Sequence, residues 1–324
     1  MGRALRWIGL GAAGLATVGV AGVGYLMLAY PIMPQPEPDA VVADADKHAR
    51  GAYLAEHVAV CMDCHSQRDF SRFSGPVLPA TAGGGGERWG HDIGMPGELV
   101  APNITPHALG SWSDGELIRA FTVGVTPDGR ALFPLMPYGS YAKLCRADVE
   151  ALVTYVRQLA PVDSTPDKTK LDFPLNLIVR TMPKEVQIAS ACPDQADSVA
   201  YGKYLVSTAA CADCHTPRKG PEIFEELAFS GGFEMKLHGG GVAVSKNITP
   251  DASGIGSWSR EQFIKRFATY RDPENLHQVS GGDFNTPMPW SNYAGMTDRD
   301  LGAIYDYLRT VKPIKTDASK LAQL

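Results

Sequence analysis

Two stretches of this 324-residue chain set thiols and an imidazole close enough to share one prosthetic group: Cys61-Met62-Asp63-Cys64-His65 and Cys211-Ala212-Asp213-Cys214-His215. Thiols three residues apart lie on one side of a helical turn, so each can form a thioether with a vinyl group. The adjacent imidazole then faces the iron, and Cys-x-x-Cys-His is the attachment signature of c-type haem. Two motifs imply two covalently bound haem c groups, held by Cys61, Cys64, Cys211 and Cys214 with His65 and His215 as iron ligands. A redox-active Cys-x-x-Cys needs a βαβ setting, whereas the flanks here read as helical. A structural zinc needs four ligands, and each motif supplies three. A pair of disulfides would leave the histidines without a role.

The opposite face of each iron needs a second ligand. Met136 follows His65 by 71 residues and Met288 follows His215 by 73, and each is followed by proline and an aromatic ring, Pro137-Tyr138 and Pro289-Trp290. A His/Met pair raises the potential and suits electron transfer. A methionine beside proline can also be a flexible core filler, but its recurrence at matched distance favours ligation. Met95, Met235, Met296, His91, His107, His238 and His277 have no partner across the two halves and read as loop or packing residues. Buried propionates need cations or hydrogen-bond donors. Arg68 and Arg218, three residues after each histidine, Trp112 and Trp258, and Asn103 and Asn247 are the candidates, either for that role or for fixing loops. Cys145 and Cys192 leave three readings open: a disulfide between linker and first domain, two free thiols, or a Cys145 thiolate on iron nine residues after Met136.

The elements that must position these residues occur twice. Asn103-Ile104-Thr105-Pro106 recurs as Asn247-Ile248-Thr249-Pro250, Gly110-Ser111-Trp112-Ser113 as Gly256-Ser257-Trp258-Ser259, and Met136-Pro137-Tyr138 as Met288-Pro289-Trp290. The order is conserved and the spacing between copies stays between 144 and 152 residues, which is one domain present twice. Gly51-Ala52-Tyr53-Leu54 and Gly202-Lys203-Tyr204-Leu205 open helices that lead into the cysteine motifs. Closing helices put Val149, Leu152, Val153, Val156 and Leu159 on one face in the first copy and Leu301, Ile304, Tyr305 and Leu308 in the second. Asp148 and Asp298 stand near their starts, where negative charge suits the helix dipole. The glycine runs Gly83 to Gly86 and Gly239 to Gly241 lack the strand and helix of a phosphate cradle and read as flexible loops. A proline-rich linker, 162–198, is expected to wrap one domain or bridge both.

A net charge of −5 gives no basic surface for nucleic acid, and 34 glycines with 24 prolines point to a loop-rich protein. Arg3 and Arg6 precede an uncharged run, Trp7 to Ala29, which as a helix at about 1.5 Å per residue would span about 34 Å. The expectation is an uncleaved single-pass anchor, with Gly22-Val23-Gly24 a weaker hint of a cleaved signal peptide, and export of everything that follows. Pro31 to Pro38 reads as a stiff spacer off the bilayer.

With these residues in hand, the chain resembles the cytochrome c subunits of membrane-associated alcohol, gluconate and aldehyde dehydrogenases of bacteria over roughly residues 45 to 315. The most specific pieces are the repeated Asn-Ile-Thr-Pro and Gly-Ser-Trp-Ser, Phe133-Pro134-Leu135-Met136-Pro137-Tyr138 running into Ser140-Tyr141-Ala142-Lys143, and Cys214-His215-Thr216-Pro217-Arg218. The resemblance implies class I cytochrome c folds with His65/Met136 and His215/Met288 as axial pairs. It implies electron transfer from a dehydrogenase toward quinone or a terminal oxidase. Two haem motifs stand here where the alcohol dehydrogenase subunits typically carry three. The expected architecture is all-α: anchor and spacer 1–38, cytochrome c domain 39–161, linker 162–198 and cytochrome c domain 199–324. The expected location is the bacterial inner membrane with the haem domains in the periplasm, and the expected partners are dehydrogenase or oxidase subunits. The other function class compatible with two haem motifs is an enzyme, a dihaem peroxidase or thiosulfate dehydrogenase, which would need one iron open.

Overall fold

The computed structural model describes residues 2–36, 40–220, 222–237, 240–280 and 283–316, without the side chains of residues 2–6, 9 and 12. Arg3 and Arg6 as side chains, Glu37-Pro38 of the spacer, His238 and Gly239 lie outside the described residues.

The chain starts with helix α1, Gly2–Ala29. Glycine and alanine occupy 11 of the 23 positions from Trp7 to Ala29, and these side chains gain little from burial in hydrocarbon. Among the described residues no helix is long and apolar enough to cross a membrane. The expected anchor, and the inner-membrane placement built on it, are therefore corrected. Nor does the proline-rich segment stand away as a spacer. Arg180 donates to the Met27 and Tyr30 carbonyls, and Arg119 donates to the Pro34 carbonyl at 3.1 Å, so the segment lies along the first repeat.

The first repeat comprises α2 (Ala45–Tyr53), a π-helical turn Leu54–Val58, α3 (Cys61–Cys64), β1 (Arg88–Trp89), β2 (Gly97–Val100), α4 (Pro106–Leu109), α5 (Asp114–Val123), α6 (Tyr138–Tyr141) and α7 (Arg146–Gln158). In the linker, β3 (Lys170–Leu171) adds to β2 and is followed by α8 (Leu175–Ile178). The second repeat comprises α9 (Ser198–Thr208), α10 (Cys211–His215), the hairpin β4 (Arg218–Lys219) and β5 (Glu222–Ile223), the hairpin β6 (Glu234–Lys236) and β7 (Val242–Val244), α11 (Arg260–Ala268), α12 (Trp290–Tyr293) and α13 (Asp298–Leu308). The all-α expectation is thus corrected by short antiparallel strands, which fill the connections downstream of each cysteine motif. Glycine and proline bar helix there, while the backbone polar groups still need partners.

Sequence punctuation explains the helix starts. Asp44 and Asp197 cap α2 and α9 by accepting from Lys47 N and Ala200 N. The repeated Gly-Ser-Trp-Ser is a helix start, because Ser113 with Glu116 and Ser259 with Gln262 form capping boxes on α5 and α11. In each repeat the first and last helices cross at a glycine. A β-carbon at Gly51 would lie 2.0 Å from the Ala151 carbonyl oxygen, and one at Gly202 would lie 1.9 Å from that of Ala303. Only glycine lets α2 rest on α7 and α9 on α13 this closely. The expected faces are buried there: Val149, Leu152 and Val153 in one repeat, Leu301, Ile304 and Leu308 in the other, within one continuous apolar core.

The repeats face each other through reciprocal hydrogen bonds. Tyr53 of α2 donates to Asp300 of α13 at 2.6 Å, and Tyr204 of α9 donates to Asp148 of α7 at 2.7 Å. Asp148 and Asp298 lie in the first turns of α7 and α13 as expected, but the spatial counterpart of Asp148 is Asp300; Asp298 is exposed and pairs with Arg271 at 2.7 Å.

The linker wraps the first repeat. Asn103 donates to the carbonyls of Val162 and Ser164, Thr169 bonds Val100, and Cys192 closes a disulfide with Cys145 just before α7. That settles the cysteine pair against free thiols and against an iron-bound Cys145. The cross-link closes a loop of 47 residues, which the chain-entropy account values at about 4 kcal/mol. Replacing both cysteines by serine should lower the unfolding free energy by about 2–4 kcal/mol in a denaturant titration. An unchanged midpoint and slope would show that the linker is held without the cross-link.

Candidate cofactor sites

Each histidine of the two motifs is oriented by a backbone carbonyl. His65 Nδ1 lies 2.8 Å from Pro102 O, and His215 Nδ1 lies 2.7 Å from Lys246 O. A carbonyl can only accept, so Nδ1 carries the proton and Nε2 presents its lone pair to a metal. Burial pulls both imidazoles below their ordinary pKa, which keeps them neutral and able to ligate.

Glycine permits this approach. Gly85 and Gly231 adopt φ of 72° and 74°, and a β-carbon on either would come within 2.5 Å of the Pro102 or Lys246 carbonyl carbon. Their amides donate to the His65 and His215 carbonyls at 2.8 Å, while Gly86 and Gly232 donate to Ala101 and Ser245 at 2.9 Å. The matched glycines are therefore Gly85-Gly86 and Gly231-Gly232. The run Gly83 to Gly86 is a tight turn locked to the histidine, not a flexible loop. On the other flank, Val60 and Ala210 precede the first cysteine of each motif with φ of 46° and 50°. A left-handed conformation costs about 1–2 kcal/mol at such residues, so its recurrence marks a bend needed to start the cysteine turn.

The methionine segments are tied to the same place. Pro137 and Pro289 start α6 and α12, and three residues into each helix a tyrosine reaches back. Tyr141 donates to Ala59 O and Tyr293 to Ala209 O, each at 2.8 Å, two residues before the first cysteine. Met136 and Met288 are half-buried against the core. Sequence reasoning missed this role for Tyr141 and missed Tyr293 altogether; the shared spacing from the methionine, five residues in both copies, is the signal that marks them.

The remaining candidates divide. Asn103 and Asn247 fix loops: their Oδ1 atoms accept from Thr105 N and Thr249 N, and their amides hold Val162 and Ile314 carbonyls. Trp112 and Trp258 pack half-buried on the core, their carbonyls accepting from Arg157 and Tyr305. Arg68 is buried, pairs with Asp63 at 3.0 Å and donates to the Ser74 and Gly75 carbonyls. Arg218 donates to Asp213 O and lies 4.6 Å from the Phe233 ring centre. Of the unmatched candidates, Met296 is core, His91 faces Glu98 and Asp172, His107 faces Asp163, and His277 stacks on Phe73.

Burial pushes the Cys61 and Cys211 thiols up to about 12, the reverse of the depressed thiols of disulfide exchange. Two sulfurs, one carbonyl-oriented imidazole and one thioether in each repeat fit a c-type haem. Haem would be held by thioethers to Cys61 and Cys64 and to Cys211 and Cys214.

Beside the first motif, burial raises the Asp63 carboxyl even though Arg68 opposes the shift, and raises Glu87 to about 7. Because folded Glu87 holds its proton above the ordinary carboxyl range, its contribution to stability is complete below about 4.5 and is lost as pH rises toward 7. Glu87→Gln should flatten the stability profile between these values; an unaltered slope in denaturant titrations across that range refutes the assignment. Gly85→Ala and Gly231→Ala should each cost about 1–2 kcal/mol from backbone strain alone. They should also lower the bound-haem content, measured by pyridine haemochrome absorbance per chain; full occupancy would show that the carbonyl contact is dispensable.

Residues 199–312 match the cytochrome c family model. The chain is 30% identical over 300 residues to the fructose dehydrogenase cytochrome subunit of Gluconobacter japonicus, covering 88% of this chain and 56% of that protein. It is 27% identical over 289 residues to the cytochrome c subunit of alcohol dehydrogenase (quinone) of Gluconacetobacter polyoxogenes, covering 84% and 57%. It is 29% identical over 313 residues to a diheme cytochrome c-type protein of Cereibacter sphaeroides, covering 94% and 98%. The chain thus spans a little over half of the two dehydrogenase subunits and nearly all of the diheme protein. Carbonyl-oriented histidines after paired cysteines, seen in both repeats, and these likenesses agree: the chain carries a cytochrome c domain, has covalently bound haem c as its cofactor, and resembles the cytochrome c subunits of bacterial dehydrogenases.

Proposed function

We propose that the chain holds two haem c groups, one in each repeat, with His65 and Met136 as axial ligands of the first and His215 and Met288 of the second, and that it relays electrons from a dehydrogenase toward a terminal oxidase or another acceptor. Haem c supplies a reversible one-electron couple whose potential rises with methionine ligation. The protein's own residues do the rest. Pro102 and Lys246 carbonyls fix the imidazoles, and Tyr141 and Tyr293 hold the methionine segments against the cysteine turns. Trp112 and Trp258 stand as indole donors for propionates, whereas Arg68, Asn103 and Asn247 are engaged in shaping the surrounding loops. Domain limits of 39–161 and 199–324, joined by the linker 162–198, accommodate both sites.

The observation that carries this reading is the twofold recurrence of one constellation: a carbonyl-bound imidazole on one side and a tyrosine-anchored methionine segment on the other. Two equivalent methionines favour a relay over an enzyme with one open iron. The names of the relatives support a dehydrogenase as electron donor.

Met136→Ala should lower the potential of one haem and spare the other in a spectroelectrochemical titration, and Met288→Ala should do the converse. The reduced native protein should bind little carbon monoxide, and each variant should bind it at one haem. Ready binding by the native protein would transfer the chain to the enzyme reading.

A further inference from the structure

The loop that follows the first cysteine motif does not stay within its own repeat. Phe73 N donates to His277 O at 2.8 Å and Val279 N to Ser71 O at 2.7 Å, a short antiparallel pairing between residues 71–73 and 277–279. Phe73 stacks on the rings of His277 and Tyr270. The side chain of Asn285 holds the same loop, accepting from Ser74 N at 2.9 Å and donating to the Phe70 and Arg72 carbonyls. At the tip, the fully buried Ser74 hydroxyl donates to Met288 O at 2.7 Å and accepts from Trp290 N at 2.9 Å. It thereby clasps the Met288-Pro289-Trp290 segment from both ends.

Ser74 adopts φ of 67°, an unfavourable conformation for serine, and its carbonyl and that of Gly75 are held by Arg68. Arg68 is in turn paired with Asp63, between the two cysteines of the first motif. A continuous chain of contacts therefore runs from the first cysteine turn to the methionine segment of the second repeat. Among the described residues nothing equivalent is built in the other direction: those after His215 pair with one another as the β4–β5 hairpin, with Arg218 opposite Ile223.

We propose that Ser74, presented by the loop after the first haem motif, is a positioning residue for Met288, so that the first repeat sets how firmly the second haem keeps its sulfur ligand. The proposal rests on Met288 being that ligand. The Ser74 hydroxyl fixes the backbone on both sides of Pro289, directly after the Met288 side chain; without it, the segment loses two buried hydrogen bonds and gains freedom to swing. The Met136 segment is tied by Tyr141 to Ala59 of its own repeat and does not depend on this loop.

The test uses the full chain with both haems in place, comparing native protein, Ser74→Ala, Asn285→Ala, Met288→Ala and, as control, Ser71→Ala, whose exposed hydroxyl bonds only Asp69. Met288→Ala identifies the titration step and the sulfur-to-iron charge-transfer absorption that belong to the second haem. Ser74→Ala should shift that same step downward, weaken that absorption, and raise carbon monoxide binding at that haem about tenfold, the scale of one or two lost hydrogen bonds. The first haem and the Ser71→Ala protein should be unchanged. Asn285→Ala, which unseats the loop by a different route, should reproduce the shift and secures the test if Ser74→Ala does not fold. A Met288-dependent step that stays put in both variants overturns the positioning role while leaving the ligand intact. A Met288→Ala protein indistinguishable from native overturns the ligand assignment beneath it.

Discussion

The bond from each imidazole Nδ1 to a main-chain carbonyl is the constraint on which both sites depend. A histidine beside two cysteines is only a potential ligand until its tautomer and ring plane are fixed, and a backbone carbonyl does both, since it cannot donate. The carbonyls of Pro102 and Lys246 reach the rings because Gly85 and Gly231 leave room for the chain to press in. Those glycines donate to the carbonyls of the very histidines being oriented. The ring, the glycine turn and the segment that supplies the acceptor therefore form one closed set of contacts. Loss of any member loosens the others, which explains why the arrangement is identical in the two repeats although the residues that supply the carbonyl differ.

Much of the second site and of the organisation around it was legible in the residues. The paired Cys-x-x-Cys-His motifs, the matched methionines and the glycines opening the first helices are chemistry or sterics carried by residue type, and they recur at constant spacing. Gly-Ser-Trp-Ser was visible as a repeat but not as a helix start, although Ser113 with Glu116 and Ser259 with Gln262 carry the capping pattern. Other features were hidden for physical reasons. The glycine runs were matched by density, whereas the determinant is a positive φ at one residue facing a carbonyl, which composition does not report. Asp298 was chosen by its place at the helix start, but the crossing of α9 and α13 sets the register, and it places Asp300 opposite Tyr53. The N-terminal run was judged by its lack of charge, and that weighs a glycine as heavily as a leucine. Short strands escaped because two to four residues carry too little periodicity to read.

Duplication also explains what the repeats share and where they have parted. The helix crossings, cysteine turns and tyrosine tethers are internal to one repeat, so each copy needs them and each has kept them, and in both copies an asparagine clamps the chain that follows the last helix. The contacts between repeats are under a different constraint, because each surface meets the other copy and not itself. The Tyr53–Asp300 and Tyr204–Asp148 bonds are reciprocal and retain a twofold character. The docking of residues 69–74 on the Met288 segment is one-sided, and it is there that the two copies have taken different structures after their cysteine motifs.

The buried carboxylates show the same divergence in its energetic form. Asp148 is held by both Arg50 nitrogens, at 2.9 and 2.8 Å, as well as by Tyr204, so a full cation offsets its removal from water. At the matched position of the second repeat the residue is Tyr201, and Asp300 is left with phenol donors, Tyr53 at 2.6 Å and Tyr201 at 3.4 Å. Both members of this ion pair lie in the first repeat, on α2 and α7, and removing Arg50 would cost several kilocalories per mole by leaving the buried Asp148 without its cation. The reciprocal hydrogen bonds bring the repeats together, and the charge pair present in one copy alone makes their two acceptor carboxylates unequal. The one-sided loop contact adds to that difference, because Ser74 of the first repeat gives the second methionine segment a neighbour from the other copy.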